Sequence, residues 1–197
     1  MSAASNPHTP PYLRSPDAQG TGLAPDQPAQ PKIRIGHGYD LHRLEPLAPA
    51  GVGRPFVLAG VRIEHDRGPA GHSDADVLYH AITDGVLGSI GAPDIGQLFP
   101  NTNPAHKGQD SRFFLVEANR LLNDAGYTVV NIDATVVCEQ PKIGPHKESM
   151  RNNIAEALGI GIDRINVKGK THERVDAIGE GRAIEAHCVV LVELTDS

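Results

Sequence analysis

Apolar and polar positions divide this chain at about residue 33. Up to Pro31 it is mainly Pro, Ser, Ala, Gln, Asn and Gly, with seven of the 16 prolines and no hydrophobic period. Such a stretch buries too little apolar surface to offset its conformational entropy, so residues 1–32 are expected to be a disordered extension and residues 33–197 the folded domain. From Ile33 the pattern becomes regular. Alternation predicts a strand over Arg34 to His42 and a second over Phe56 to Ile63, joined by a Pro- and Gly-rich loop from Pro46 to Pro55. Leu78, Ala81, Ile82 and Gly85 share one helical face, which predicts a helix from Ser73 to Gly88, with Ser73 and Asp76 spaced as in a capping box. A long polar loop runs from Asp94 to Gln109. Ser111 is then placed to cap a second helix carrying Phe114, Leu115, Ala118, Leu121 and Leu122, stopped at Gly126. The β-branched run Tyr127 to Cys138 predicts a strand, Lys147 to Leu158 a third helix ended by Gly159, and Ile165 to Thr171 and Ala183 to Leu194 the last two strands. The order predicts an α+β fold: a single domain with one mostly antiparallel or mixed β-sheet covered by helices on one face.

Composition narrows the classes. At 197 residues and 21.0 kDa, the chain suits one domain plus a tail. With 18 Lys plus Arg against 24 Asp plus Glu it carries a formal charge of -6, and aromatics make up 4% with no Trp, which excludes a basic or stacking nucleic-acid surface. No apolar run reaches the roughly 18–20 residues of a bilayer span, and the N-terminus lacks the charged and apolar regions of a secretory signal, so no membrane partner and a cytoplasmic location are expected. The two cysteines, Cys138 and Cys188, form no CxxC pair. The ten histidines are the unusual feature.

Asp40 and His42 stand two apart on a predicted strand, so both side chains share a face. Asp76, His80 and Asp84 fall within roughly an 80° arc of the first predicted helix, flanked by Val77 and Leu87. Zinc accepts His nitrogen and Asp oxygen, and a catalytic site needs three protein ligands and one open position. Spacing alone leaves two readings open, a metal site or a His80–Asp84 pair in a polar groove. His72, Ser73 and Asp74 open the same helix, where free amides attract an anion or where Ser73 simply caps. Lys168, Lys170, Thr171, His172 and Glu173 cluster at a strand end and combine cations for phosphate with a carboxylate for magnesium. The loop Cys138 to Gly144 could wrap a base or phosphate. Together these signals fit phosphoryl chemistry, while the substrate stays undefined.

The strings GHGYDLHRL, GHSDADVLYHAITD, DIGQLFPNTNP, EQPKIGPH and VKGKTHE, in this order and spacing, resemble the 2-C-methyl-D-erythritol 2,4-cyclodiphosphate synthases of non-mevalonate isoprenoid synthesis, from about Arg34 to Leu194. The resemblance implies a CMP-releasing, cyclising phosphorus-oxygen lyase acting on 4-diphosphocytidyl-2-C-methyl-D-erythritol 2-phosphate. It implies a homotrimer with active sites between adjacent copies. It also implies zinc on Asp40, His42 and His80, magnesium or manganese on Glu173, and His72 and Thr171 as transition-state donors. Substrate contacts are implied for Asp40, Leu41, His42, His72 and Ser73. The erythritol end falls to Asp94, Ile95, Gly96, Phe99, Pro100, Asn101, Thr102 and Asn103. Cytosine and its attached groups fall to Cys138, Glu139, Gln140, Pro141, Lys142, Ile143 and Gly144, and the diphosphate to Lys170, Thr171, His172 and Glu173. Two departures stand out. Asn101 and Asn103 replace the family's usual acids, and Glu180, Arg182 and His187 differ where the family lines a trimer cavity for isoprenoid diphosphates, so that regulatory site is not carried over. The alternatives are a zinc phosphoesterase for another substrate and a nucleotide-binding module without turnover.

Overall fold

The computed structural model describes residues 30–71, 74–100 and 108–195. Its sheet is built around two long strands. β1 (Ile33–Pro46) runs antiparallel to β7 (Ala183–Leu194), in register from Ile33 opposite Glu193 to Arg43 opposite Ala183. β5 (Tyr127–Val137) pairs antiparallel with the other edge of β7, and β6 (Ile165–Lys170) pairs parallel with β5. Short β4 (Arg67–Pro69) closes the far side, giving the order β4-β1-β7-β5-β6. The sheet is therefore mixed, with one parallel pair, whose crossover carries α4 (Lys147–Leu158). The expected end of that helix holds: Gly159 takes φ 67°, a left-handed conformation suited to glycine.

One face of the sheet is covered. α1 (Val77–Ser89), α3 (Ser111–Asp124) and α4 contribute Leu78, Ile82, Leu115, Leu122, Met150 and Ile154 to the core beneath β5 and β7, which contribute Ile132, Val136, Val190 and Val192. The opposite face leaves Ile33, Ile35, Tyr39, Leu41 and Val189 exposed. α1 reaches β1 because glycines remove the side chains between them. A Cβ on Gly38 would lie 1.8 Å from Ala81 O, one on Gly36 1.8 Å from Gly85 O, and one on Gly85 2.8 Å from Cys188 Sγ. No helix among the described residues is long and apolar enough to cross a membrane.

Several local expectations change. Phe56 to Ile63 is not one strand but a tight hairpin of β2 (Val57–Leu58) and β3 (Val61–Arg62), turned by Ala59 and Gly60 at φ 45° and 72°. The cap of α1 is Asp76, which accepts from Leu78 N and Tyr79 N; Ser73 lies outside the described residues. Asp110, not Ser111, caps α3. The polar loop contains α2 (Ile95–Leu98), and α5 (Asp176–Gly179) precedes β7; neither short element, nor β4, carries enough residues to show a period. Pro31 and Lys32, placed in the expected extension, accept bonds from Tyr127 Oη at 2.9 Å and Leu194 N at 2.8 Å.

Candidate active site

The glycine contact sets α1 so that His80 faces the even-numbered side of β1, where Asp40 and His42 point. Asp40 Oδ2 lies 2.9 Å from His80 Nδ1 and 3.2 Å from His42 Nε2, and the two ring nitrogens are 3.3 Å apart. A tetrahedral zinc with bonds of about 2.0–2.1 Å separates its ligand atoms by about 3.3 Å, so the three atoms already stand where such an ion requires them. All three residues are partly buried, with side-chain exposures of 25%, 19% and 12% for Asp40, His42 and His80, leaving one side open for a fourth ligand. Burial alone would raise the Asp40 pKa. Its hydrogen bonds to, and attraction for, His42 and His80 overcome that and hold the carboxyl well below the usual range, so it is a carboxylate at neutral pH. Burial lowers the His80 pKa, and the bond to Asp40 more than reverses this, leaving it raised.

Behind His80 stands a second layer that the sequence did not reveal. His80 Nε2 is 2.8 Å from Ser111 Oγ, which donates a short hydrogen bond to Asp74 Oδ1, while Ser111 N donates to Asp74 Oδ2 at 3.0 Å. Because the Ser111 hydroxyl donates to Asp74, it is left to accept the Nε2 proton, and Nδ1 is the ring nitrogen turned toward Asp40 and His42. Ser111 is free for the task because Asp110 does the capping. Ser111 meets residues 31 and 37 positions away, so no local signal could have found it. Asp74, grouped with His72 and Ser73 as an anion site, is engaged with Ser111 instead.

The predicted polar stripe on α1 splits three ways. His80 enters the triad. Asp76 is fully buried and accepts from Gly60 N at 2.8 Å as well as from its own helix, and burial pushes its pKa up to about 6. Asp84 accepts from Ile95 N at 2.8 Å and so ties α2 to α1. The carboxylate within 2.9 Å of His80 is thus Asp40. Asp94 caps α2 through Gln97 N, and Phe99 packs on Phe114 with ring centroids 4.9 Å apart. These contacts hold Asp94, Ile95, Gly96, Phe99 and Pro100 beside α1. His72, Ser73, Asn101, Thr102 and Asn103 lie outside the described residues.

A second group gathers at the ends of β5 and β6. Cys138, Pro141, Lys142, Ile143, Gly144, Lys170, Thr171 and Glu173 line a groove of about 370 Å³ together with Gly169 and Lys147. Lys147, the first residue of α4, supplies a third lysine to which no sequence motif points. Thr171 Oγ1 donates a short bond to Glu173 Oε1, so hydroxyl and carboxylate face the groove as a pair. Burial pushes the Cys138 thiol up to about 12, which leaves it inert. Glu139 and Gln140 belong to the same loop but do not line the groove, and neither does His172, which borders a separate cavity of about 570 Å³ with Leu41, Asp176 and Glu185. Across the sheet, Lys170, Val137, Glu185 and Leu41 form one row. Three strand spacings, roughly 14 Å, therefore separate the groove's strand from the triad's strand within one chain.

Fold and site combine a triad of metal-ligand type, shared between a strand and a helix, with a separate lysine-lined groove. The model of the YgbB family matches residues 33–193, and the chain belongs to that family. It is 50% identical over 169 residues, 86% of this chain and 73% of the other, to the 2-C-methyl-D-erythritol 2,4-cyclodiphosphate synthase, chloroplastic, of Oryza sativa subsp. japonica. It is 49% identical over 161 residues to the synthase of that name from Dechloromonas aromatica, covering 82% of this chain and 97% of that one. Among solved structures, IspF of Plasmodium falciparum in its CDP complex superimposes with a TM-score of 0.72 at 37% identity, covering 83% of this chain and 97% of that chain.

Proposed function

We propose that the chain is a 2-C-methyl-D-erythritol 2,4-cyclodiphosphate synthase of isoprenoid precursor synthesis. It converts 4-diphosphocytidyl-2-C-methyl-D-erythritol 2-phosphate to the cyclic diphosphate and CMP. The observation that carries the reading is the convergence of Asp40, His42 and His80 at zinc-ligand spacing, backed by Ser111 and Asp74. An oxygen of the 2-phosphate attacks the β-phosphorus, the bond from that phosphorus to the bridging oxygen breaks, and the electron pair leaves with CMP. Closure is intramolecular, so alignment and charge stabilisation carry the reaction.

Zinc held by Asp40, His42 and His80, and magnesium or manganese held at Glu173, would supply Lewis acidity to the phosphate oxygens. The chain's own residues do the rest. Lys142, Lys147 and Lys170 bring three cations to the groove that receives the diphosphate, and Thr171 offers a hydroxyl donor beside them. Asp40, held far below the usual carboxylate range, accepts no proton at neutral pH. The loop from Cys138 to Gly144 holds the cytidine, His72 and Ser73 meet phosphate, and Asn101 and Asn103 offer uncharged hydrogen-bonding groups to the erythritol end.

A homotrimer completes the site: a separation of roughly 14 Å keeps one chain's groove from the same chain's triad, whereas a neighbouring copy can place its groove against it. The open apolar face of β1 and β7 supports that assembly. Phosphorus NMR of the zinc-loaded protein with magnesium and substrate tests the reading. CMP and a cyclic diphosphate should appear in equal amounts and be absent with His80→Ala; an open-chain product, or binding without turnover, would overturn it.

A further inference from the structure

Thr171 and Glu173 face the lysine groove, yet His172 between them points the other way, into the larger cavity. There its Nδ1 lies 2.8 Å from Asp176 Oδ2 and its Nε2 3.9 Å from Glu185 Oε1. Asp176 has a second task, since its Oδ1 accepts from Ile178 N at 2.8 Å and Gly179 N at 3.3 Å. One carboxylate therefore grips both sides of the turn, its start through the imidazole and its end through the amides of the last two residues of α5. Val175 N closes the turn on His172 O at 2.8 Å. The backbone in between is one that side-chain-bearing residues avoid: Glu173, Arg174 and Asp176 take φ values of 51°, 64° and 62°. Three left-handed residues so close together do not hold that shape by backbone preference and need side-chain bonds to fix it.

We propose that His172 and Asp176 are positioning residues whose Nδ1–Oδ2 bond holds this turn so that the Thr171 hydroxyl and the Glu173 carboxylate meet a divalent cation and its diphosphate together. The inference rests on the reading of Glu173 as a holder of that cation. It assigns His172 a role behind the groove rather than on the substrate. The logic is that of a ligating side chain oriented by a partner that never touches the metal.

The test titrates manganese into the zinc-loaded full-length protein with saturating CDP, reading free Mn(II) by electron paramagnetic resonance. Asp176→Gly removes the carboxylate but keeps a residue at ease with positive φ, Asp176→Asn keeps a hydrogen-bonding group, and His172→Ala removes the ring. His172→Ala and Asp176→Gly should each weaken Mn(II) binding about tenfold or more, with bound zinc unchanged and Asp176→Asn recovering most of the loss. Mn(II) affinity within about twofold of the parent in a folded, zinc-replete Asp176→Gly or His172→Ala protein overturns the proposal; if the alanine variant does not fold, the glycine variant decides. Glu173→Gln separates the two layers. Undiminished Mn(II) binding there overturns the reading of Glu173 itself, whereas lost binding there beside parental binding in the other variants overturns the positioning role alone.

Discussion

Gly38→Ala tests how the triad is assembled. The new Cβ would sit 1.8 Å from Ala81 O and 2.7 Å from Gly85 N, both backbone atoms of α1 that no rotamer change can move. A carbon–oxygen contact needs about 3.3 Å, so the helix must retreat by roughly 1.5 Å. His80 precedes Ala81 and moves with it, stretching its 2.9 Å approach to Asp40 beyond any hydrogen bond or shared metal. Overpacking of this kind costs about 1–3 kcal/mol, which for a chain of this size lowers Tm by roughly 2–12 °C. Displacing one ligand outright should cost zinc affinity at least the roughly 100-fold that marks the upper end for outer-layer substitutions. Gly88→Ala is the matched control on the same helix: its Cβ meets only His37 O, at an ordinary 3.8 Å. The helical preference of alanine should there stabilise by about 0.4–1 kcal/mol. Calorimetry and competition with a chromogenic zinc chelator read both quantities. A Gly38→Ala protein with parental Tm and parental zinc affinity would refute the claim that glycine contact sets the site.

Other outcomes follow from individual contacts. Ser111→Ala leaves all three ligands but removes the partner of His80 Nε2, and chelator competition should show zinc held about 10–100-fold less tightly. Asp76 has its pKa raised from 3.8 to about 6, so the folded state keeps its proton longer than the unfolded chain; stability relative to Asp76→Asn should fall as pH rises from about 4 to about 6, and a difference in urea-unfolding free energy that grows over that window would contradict this. Cys138 and Cys188, both pushed up to about 12 by burial, should resist a thiol reagent at pH 8 and react only after unfolding, as followed by absorbance. Ile35→Asp places a charge on the open sheet face and should convert the proposed trimer to monomers in analytical ultracentrifugation, while a sedimentation value unchanged from the parent would contradict an interface on this face.

What the residues alone reveal depends on the range of the interaction. β7 follows its predicted span residue for residue, and α4 ends at Gly159 as expected, because alternation and a left-handed stop are properties of neighbouring residues. The shared face of Asp40 and His42 is legible for the same reason. The stripe of Asp76, His80 and Asp84 marks the limit: helical spacing shows that the three point one way, and not that they meet Gly60, Asp40 and Ile95 respectively. The Ser111–Asp74 support and the turn of His172 away from the groove lie further out of reach. By itself the sequence determined the long elements, the shared face of Asp40 and His42 and, through ordered motifs, the family and the expectation that His80 joins that pair. Tertiary structure alone decided what orients His80 and how far the lysine groove stands from the triad. Periodicity is set by bond geometry along the chain, whereas these distances are set by strand order and by how closely α1 packs on β1.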